Sequence, residues 1–318
     1  MLLRALAAWG LLFSVGIASA ELNNELREAR DRGIALYKQR DWYDSQPYLL
    51  KAADAGDREA QYYLGEALRL SRRYMTAEAQ KWYEAAAEQG DVYAMLRLAS
   101  GSDLCRTLAT CTQDSDYWEQ RAYETALKRA EQGHASAMGE MYSVTGELSW
   151  LEKAAEAGSA DDQDLLAHLY KQGEGWFLWP GARQEAVEKW FKAAAEGKYP
   201  PAMMKMFERC ATRGDFESAR EWLKKAVETG VVDAVSTYGA NLVHMPDQMG
   251  FPLDNVKGYA FLSLVAEIRH EGDDFERGLL KAIEPSMSPE QVAQAKTYAK
   301  EWMKTHPPLS YFDPRFGF

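Results

Sequence analysis

The sequence predicts an all-α chain, an α-solenoid of helix–turn–helix units closed by a C-terminal capping helix, and three observations predict it. An aromatic residue, a run of alanines, an acid and a glycine recur as one phrase: WYEAAAEQGD from Trp82, WLEKAAEAGS from Trp150, WFKAAAEGK from Trp190 and WLKKAVETGV from Trp222. Fainter copies end at Asp57 and His134. Between the copies the apolar residues keep helical spacing, and the stretch SMSPEQVAQAKTYAKEW near the C-terminus opens with a helix-start signature. A phrase that returns every few tens of residues marks units too small to bury their own apolar faces, which must therefore stack.

The elements follow in order along the chain. Residues 1–20, MLLRALAAWGLLFSVGIASA, hold one positive charge at Arg4, an apolar stretch from Ala5 to Ile17, and Ala18-Ser19-Ala20 before Glu21. That is the layout of a cleaved secretory signal peptide, which predicts that the mature protein is exported into an oxidising compartment. The alternative is an uncleaved membrane anchor, for which the apolar stretch falls short of the ~20 residues a span requires. No cysteine follows the cleavage point, so lipid attachment there is not expected. Residues 21–305 are assigned to the repeat array, about six to seven units with an inserted loop near 100–116, and residues 306–318 to an aromatic, proline-rich tail.

The copy from Gly56 to Gly90 shows what one unit must be. Ala60, Tyr63, Leu64, Ala67 and Leu68 line one face of a first helix, Ser71 and Arg72 mark a turn, and Ala79, Trp82, Tyr83 and Ala86 repeat the spacing in a second helix. Gly90 suits the left-handed residue that closes a helix, since it has no Cβ to clash there. Gly65 stands inside the first helix, where glycine costs about 1 kcal/mol relative to alanine, so close packing is the expected reason. The same small residue recurs as Gly139 and Gly239. The separations of the closing glycines vary, from 25 residues between Gly133 and Gly158 to 43 between Gly90 and Gly133. The first of these copies has a short link between its helices, and the second carries the polar insertion SDLCRTLATCTQDSD between Ala99 and Tyr117. At the end of the array, Ser288 is the expected N-cap, Pro289 the first helical residue and Gln291 the capping-box partner.

These patterns, A-x-x-x-L-G in the first helix and x-x-W-[YFL]-x-x-A-A-x-x-G-[DHSK] closing the second, resemble the Sel1-like repeat, a relative of the tetratricopeptide repeat. The resemblance covers nearly the whole chain after residue 20. Two longer copies hold something similar to the family's between-helix loop: QGEGWFLWPGARQEA from Gln172 and MGFPLDNVKGYA from Met249. The resemblance implies a right-handed solenoid and a non-catalytic adaptor whose first helices line a concave face. On that face Tyr62, Glu66, Arg69, Arg97, Glu140, Lys171 and Lys205 are expected to meet a partner. For exported members it implies two uses. One is immunity, by binding and neutralising a type VI secretion phospholipase effector delivered into the periplasm; the other is a scaffold for envelope assembly or secretion.

Charge narrows the partners. The chain carries 37 Lys plus Arg against 48 Asp plus Glu, a net charge of −11, and loss of residues 1–20 removes only Arg4, leaving 36 against 48, or −12. Such an acid excess disfavours nucleic acid and anionic membrane surfaces. A protein partner, effector toxin or envelope component, fits better, with no stable membrane insertion once the signal is cleaved. Of three cysteines, Cys105 and Cys111 flank RTLAT in the polar insertion. In an oxidising compartment they would form a disulfide that pins a segment with little core of its own; the alternative is two free surface thiols. Cys210 lies on a helical pattern and reads as a small buried residue.

No motif for chemistry is present. The five histidines lie far apart, none in H-E-x-x-H or a paired Cys/His set, and there is no G-x-S-x-G elbow, phosphate loop or dinucleotide fingerprint. Asp161, Asp162 and Asp164 cluster where a helix should begin, and acids there complement the dipole. No catalytic residue, metal ligand or cofactor is therefore assigned, and an envelope hydrolase assembled across repeats is the remote alternative. Binding features are richer. Trp176, Phe177 and Trp179 place three large aromatics in a between-helix loop, either as an exposed contact surface or folded back over the array. The tail, with Tyr311, Phe312 and Phe316, either caps the last unit or meets a partner as an extended peptide.

Overall fold

The structure is a computed structural model and describes residues 24–100, 113–245, 249–268 and 274–311. The signal segment, Cys105 and Cys111 with most of their insertion, and Phe312 and Phe316 lie outside the described residues. The chain divides into two compact units, residues up to Ala122 and residues from Tyr123. Among the described residues both are built of helices, with one isolated backbone bridge and no strand.

In the first unit a helix over residues 24–38 (α1) is followed by α2 (Trp42–Asp54), α3 (Arg58–Arg72), α4 (Ala77–Glu88) and α5 (Val92–Ser100). From α2 onward each helix packs against the next in sequence. The turn between α3 and α4 falls later than Ser71 and Arg72 suggest: both are still helical, and Arg73 takes the left-handed conformation that ends α3. A sixth helix, α6 (Ser115–Glu131), begins in the first unit and ends in the second.

The second unit continues with α7 (Ala135–Thr145), α8 (Leu148–Glu156), α9 (Ala160–Gln172), α10 (Ala182–Glu196), α11 (Pro200–Thr212) and α12 (Phe216–Val227). It ends with α13 (Val232–Leu242), α14 (Asn255–Ile268), α15 (Phe275–Ile283) and α16 (Pro289–Thr305). From α7 to α14 successive helices pack in sequence order, while α15 and the last helix, α16, both pack on α14. Only Gly146 and Glu147 separate α7 from α8, the short link expected there.

The recurring phrase both closes one helix and opens the next. At Gly90 the chain turns left-handed with φ of 85°, and the Gly90 and Asp91 amides donate to the carbonyls of Ala87 and Ala86 at 2.9 and 3.1 Å. Asp91 then caps α5 by accepting from the Ala94 amide at 3.1 Å, as Asp57 does from Ala60 at 2.8 Å and Asp215 from Ser218 at 3.1 Å. Gln61 and Gln163 reach back to the leftover carbonyls of Ala53 and Ala155 in the preceding helices. The copy from Trp190 departs from this. At Gly197 the backbone is not left-handed; Lys198 takes φ of 64° instead, and Gly197 is small because a Cβ there would stand 2.7 Å from the Ala160 Cβ.

Close approach also explains the glycines inside helices. A Cβ on Gly65 would meet the Tyr83 ring at 2.9 Å, and one on Gly139 would meet the Asp162 carboxylate at 2.3 Å. The phrase alanines Ala86, Ala154, Ala194 and Ala226 are fully buried. Beside them, lysines lie over the phrase tryptophans: Lys81 on Trp82, Lys153 on Trp150, Lys189 on Trp190 and Lys225 on Trp222, at 4.0–4.7 Å from the ring centres. The capping helix forms as expected, with Ser288 accepting from the Gln291 amide and the Gln291 side chain accepting from the Ser288 amide.

Candidate functional site

The loop of residues 173–181 joins α9 to α10, and its sequence dictates an unusual division of its aromatic residues. Gly173, Gly175 and Gly181 all hold positive φ, so the chain can reverse three times within nine residues. Phe177 turns inward. Its ring meets Tyr170 edge-on at 4.9 Å, and the Arg183 guanidinium lies over it at 4.7 Å. Tyr170 is itself held by donating to Glu152 at 2.7 Å. Arg183 donates to the carbonyls of Tyr170 at 2.9 Å and Gly175 at 3.1 Å, and also to that of Glu174.

With Phe177 inside, its neighbours point out. Trp176 is 81% exposed, Leu178 72% and Trp179 56%, around an open concavity of about 520 Å³ that the loop itself encloses. Scattered exposed apolar residues are ordinary, but three within four positions form a patch of the kind that marks a contact surface. The folded-back alternative holds for Phe177 and not for the two tryptophans.

The residues expected on a concave face divide differently. Tyr62 is fully buried and packs edge-on against Tyr63 and Tyr83 at 5.4 and 6.1 Å. It offers no surface to a partner, which corrects the expectation. Glu66, 1% exposed, is corrected likewise. Its carboxylate accepts from Tyr83 Oη at 2.8 Å, Arg97 Nε at 2.6 Å and Arg69 Nη2 at 2.6 Å, tying α3, α4 and α5 together. A buried charge is tolerated when its neighbours satisfy it, and here they do. Burial, then the adjacent Glu66 charge, pushes the Tyr83 hydroxyl well above its ordinary range and keeps it a donor. Arg69 and Arg97 serve the same carboxylate from positions that are only partly exposed.

In the second unit Glu140 is buried and paired with Arg129 at 2.9 Å, so it too is withdrawn from any partner. Lys171 is exposed, and Lys205 is partly exposed and paired with Glu208 at 3.1 Å. Near them stand groups that the sequence takes only as helix-start charges. Asp162 is pushed up to about 7, by burial first and then by the charges of Asp161 and Glu140. Asp164 is pushed up to about 6 by burial, with Lys205 opposing. One Asp164 oxygen is buried without a hydrogen bond, and the other lies 3.5 Å from His168, whose ring is held below its usual pKa by burial and by Lys205 and Lys171.

The described part of the tail, residues 306–311, forms a strap. Leu309 is buried, the Ser310 amide donates to the Gly230 carbonyl at 3.0 Å, and the Val232 amide donates to Ser310 at 3.1 Å. His306 stacks on Trp302 at 4.2 Å and reaches Glu228 at 3.1 Å, and Tyr311 is half-buried against the core. Arg183 was missing from the sequence candidates. Its signal was present: a cation in the first turn of a helix opposes the dipole, which points to another task.

No family model matches the chain, and no curated protein is similar to it. Among solved structures it is similar to a protective antigen present in uropathogenic Escherichia coli strains and displaying an SLR fold, at 20% identity over 92% of this chain, with a TM-score of 0.47. The chain spans 63% of that protein's length. It is also similar to a Sel1 repeat protein from Oxalobacter formigenes, at 19% identity over 75% of this chain and 99% of that one, with a TM-score of 0.40. A third similarity is to an immunity protein from Pseudomonas aeruginosa, at 19% identity over 72% and 79% of the two chains, with a TM-score of 0.36.

Proposed function

We propose that this chain is a non-catalytic periplasmic protein-binding scaffold that serves as an immunity protein, neutralising a type VI secretion phospholipase effector. The observation that carries the binding role is the loop of residues 173–181. It exposes Trp176, Leu178 and Trp179 while its remaining aromatic and its carbonyls are held from within. Tryptophan truncation is costly at the centres of protein interfaces, where a large rigid ring is desolvated in a matching pocket. The signal-like layout of residues 1–20 and the acid excess of the sequence support the reading of a periplasmic protein that meets another protein rather than nucleic acid.

The test is co-expression of the full chain with the effector encoded beside its gene, the effector being directed to the periplasm of a bacterial host. Rescue of growth and co-purification of the two proteins are the expected results. Persistent toxicity with no complex sinks the immunity reading. A secretion defect on deletion, with normal survival against sister cells, would favour the envelope scaffold instead.

A further inference from the structure

We infer that residues 173–181 are a pre-set apolar plug, held in shape by Arg183, that seats in an apolar cleft of a folded protein by contacts insensitive to salt. This inference rests on the reading that the loop is the contact site.

The chemistry of the loop specifies what it can meet. Arg183 occupies the carbonyls of Tyr170, Glu174 and Gly175, so these are not available to a partner strand that would add to the loop through its backbone. Glu174 is the one charged side chain between Gly173 and Gly181. What the loop offers is therefore apolar surface, two indoles and a leucine, and the complementary surface must be apolar and concave to desolvate them. A bilayer is the poorer match. Membrane-surface segments hold clusters of free cations for the anionic headgroups, whereas here Arg183, the cation that touches the loop, is engaged by three carbonyls, Lys171 stands alone before Gly173, and the chain carries a net charge of −11.

The loop is also set before binding. Gly175 must lack a side chain, because a Cβ would stand 2.9 Å from the Tyr170 ring, and Phe177 is clasped between that ring and the guanidinium. A contact surface already held in its bound form loses less conformational freedom on association. Arg183 is thus a positioning residue: it touches no partner and determines where Trp176 and Trp179 stand. A lysine has one ammonium in place of a planar fork, and cannot at once reach three carbonyls and stack on a ring.

The experiment uses full-length protein, with chymotrypsin as the probe of loop order and mass spectrometry to place the cuts. Arg183→Ala and Arg183→Lys are both expected to raise cleavage after Trp176, Phe177 and Leu178 by roughly tenfold or more, while the thermal midpoint moves little, because a locally opened segment is cut in proportion to its open population. Wild-type cleavage rates in Arg183→Ala, or full protection in Arg183→Lys, would overturn the clasp. Vesicles of phosphatidylethanolamine and phosphatidylglycerol are expected not to sediment the protein; sedimentation that Trp176→Ala with Trp179→Ala abolishes would assign the loop to a membrane instead. Against the co-purified effector, the dissociation constant should change less than about twofold between roughly 50 and 500 mM salt, and a steep salt dependence would overturn the apolar assignment. Normal effector binding by the double tryptophan variant would remove the loop as contact site, and the cleavage result would still decide whether Arg183 clasps it.

Discussion

Two connections in the second unit use one device to opposite ends. In residues 173–181 and again in residues 249–254, an arginine from a neighbouring helix donates to loop carbonyls: Arg183 to Glu174 and Gly175, and also to Tyr170 near the end of α9, and Arg220 to Met249 at 2.7 Å. In the later loop the aromatic goes inward. Phe251 is buried against Tyr238 at 5.3 Å, and the His244 ring bonds its carbonyl at 2.8 Å. In the earlier loop one aromatic goes inward and two stay in water. The difference teaches that satisfying the backbone fixes how a loop is held and leaves free what it presents. The second decision separates a loop that completes the core from one that faces a partner.

The sharpest way to break this contrast is to remove an aromatic from each loop and compare stability. Phe251→Ala should lower stability by about 3–5 kcal/mol, through lost burial and the cavity left behind, read as a fall in denaturation midpoint. A midpoint equal to wild type would erase the distinction. Trp176→Ala with Trp179→Ala should leave the midpoint unchanged and weaken effector binding by about 2–4 kcal/mol in calorimetry. A lowered midpoint with intact affinity would place both rings in the core with Phe251.

A smaller effect concerns the helix that leads into the exposed loop. Asp162 and Asp164 sit near the start of α9, with pKa values raised to about 7 and about 6. A carboxyl raised by burial binds its proton more tightly when folded. The stability it supports is complete below about pH 4 and is lost as pH rises through about 6 to 7. Stability between pH 5 and pH 8 should therefore fall by about 1–2 kcal/mol more in wild type than in Asp162→Asn with Asp164→Asn, measured as paired urea midpoints. Equal pH slopes in the two proteins would show that these acids are solvated. The smallest effect is at the cap: Ser288→Ala should cost about 1 kcal/mol by removing the acceptor for the Gln291 amide, without changing binding.

The helix pairs were readable because period and punctuation agree. Alanines set close packing, and a glycine or its neighbour supplies the left-handed turn. What periodicity could not supply is which face of a first helix remains open, since that depends on residues far along the chain. Tyr62 and Glu66 occupy positions that look outward on one isolated helix, yet Tyr83 and Arg97, 17 and 31 residues after Glu66, close over the carboxylate. The burial of Asp162 has the same origin, for it depends on Gly139 in an earlier helix. The loop of residues 173–181 was legible as an aromatic insertion, but the inward turn of Phe177 depends on Tyr170 and Arg183, which no local pattern joins to it.

The strap after α16 bears on where this chain can be shortened. A count of helices would stop it at Thr305, the last residue of α16. A truncation there leaves an empty slot where Leu309 was, and an unpaired amide at Val232 on the first turn of α13. Because Ser310 engages that turn only through backbone atoms, many side chains could stand at position 310, whereas the length of the segment between Thr305 and Ser310 is fixed. Insertions and deletions within these few residues should thus be tolerated less well than substitutions, a rule of spacing where the rest of the array follows rules of composition.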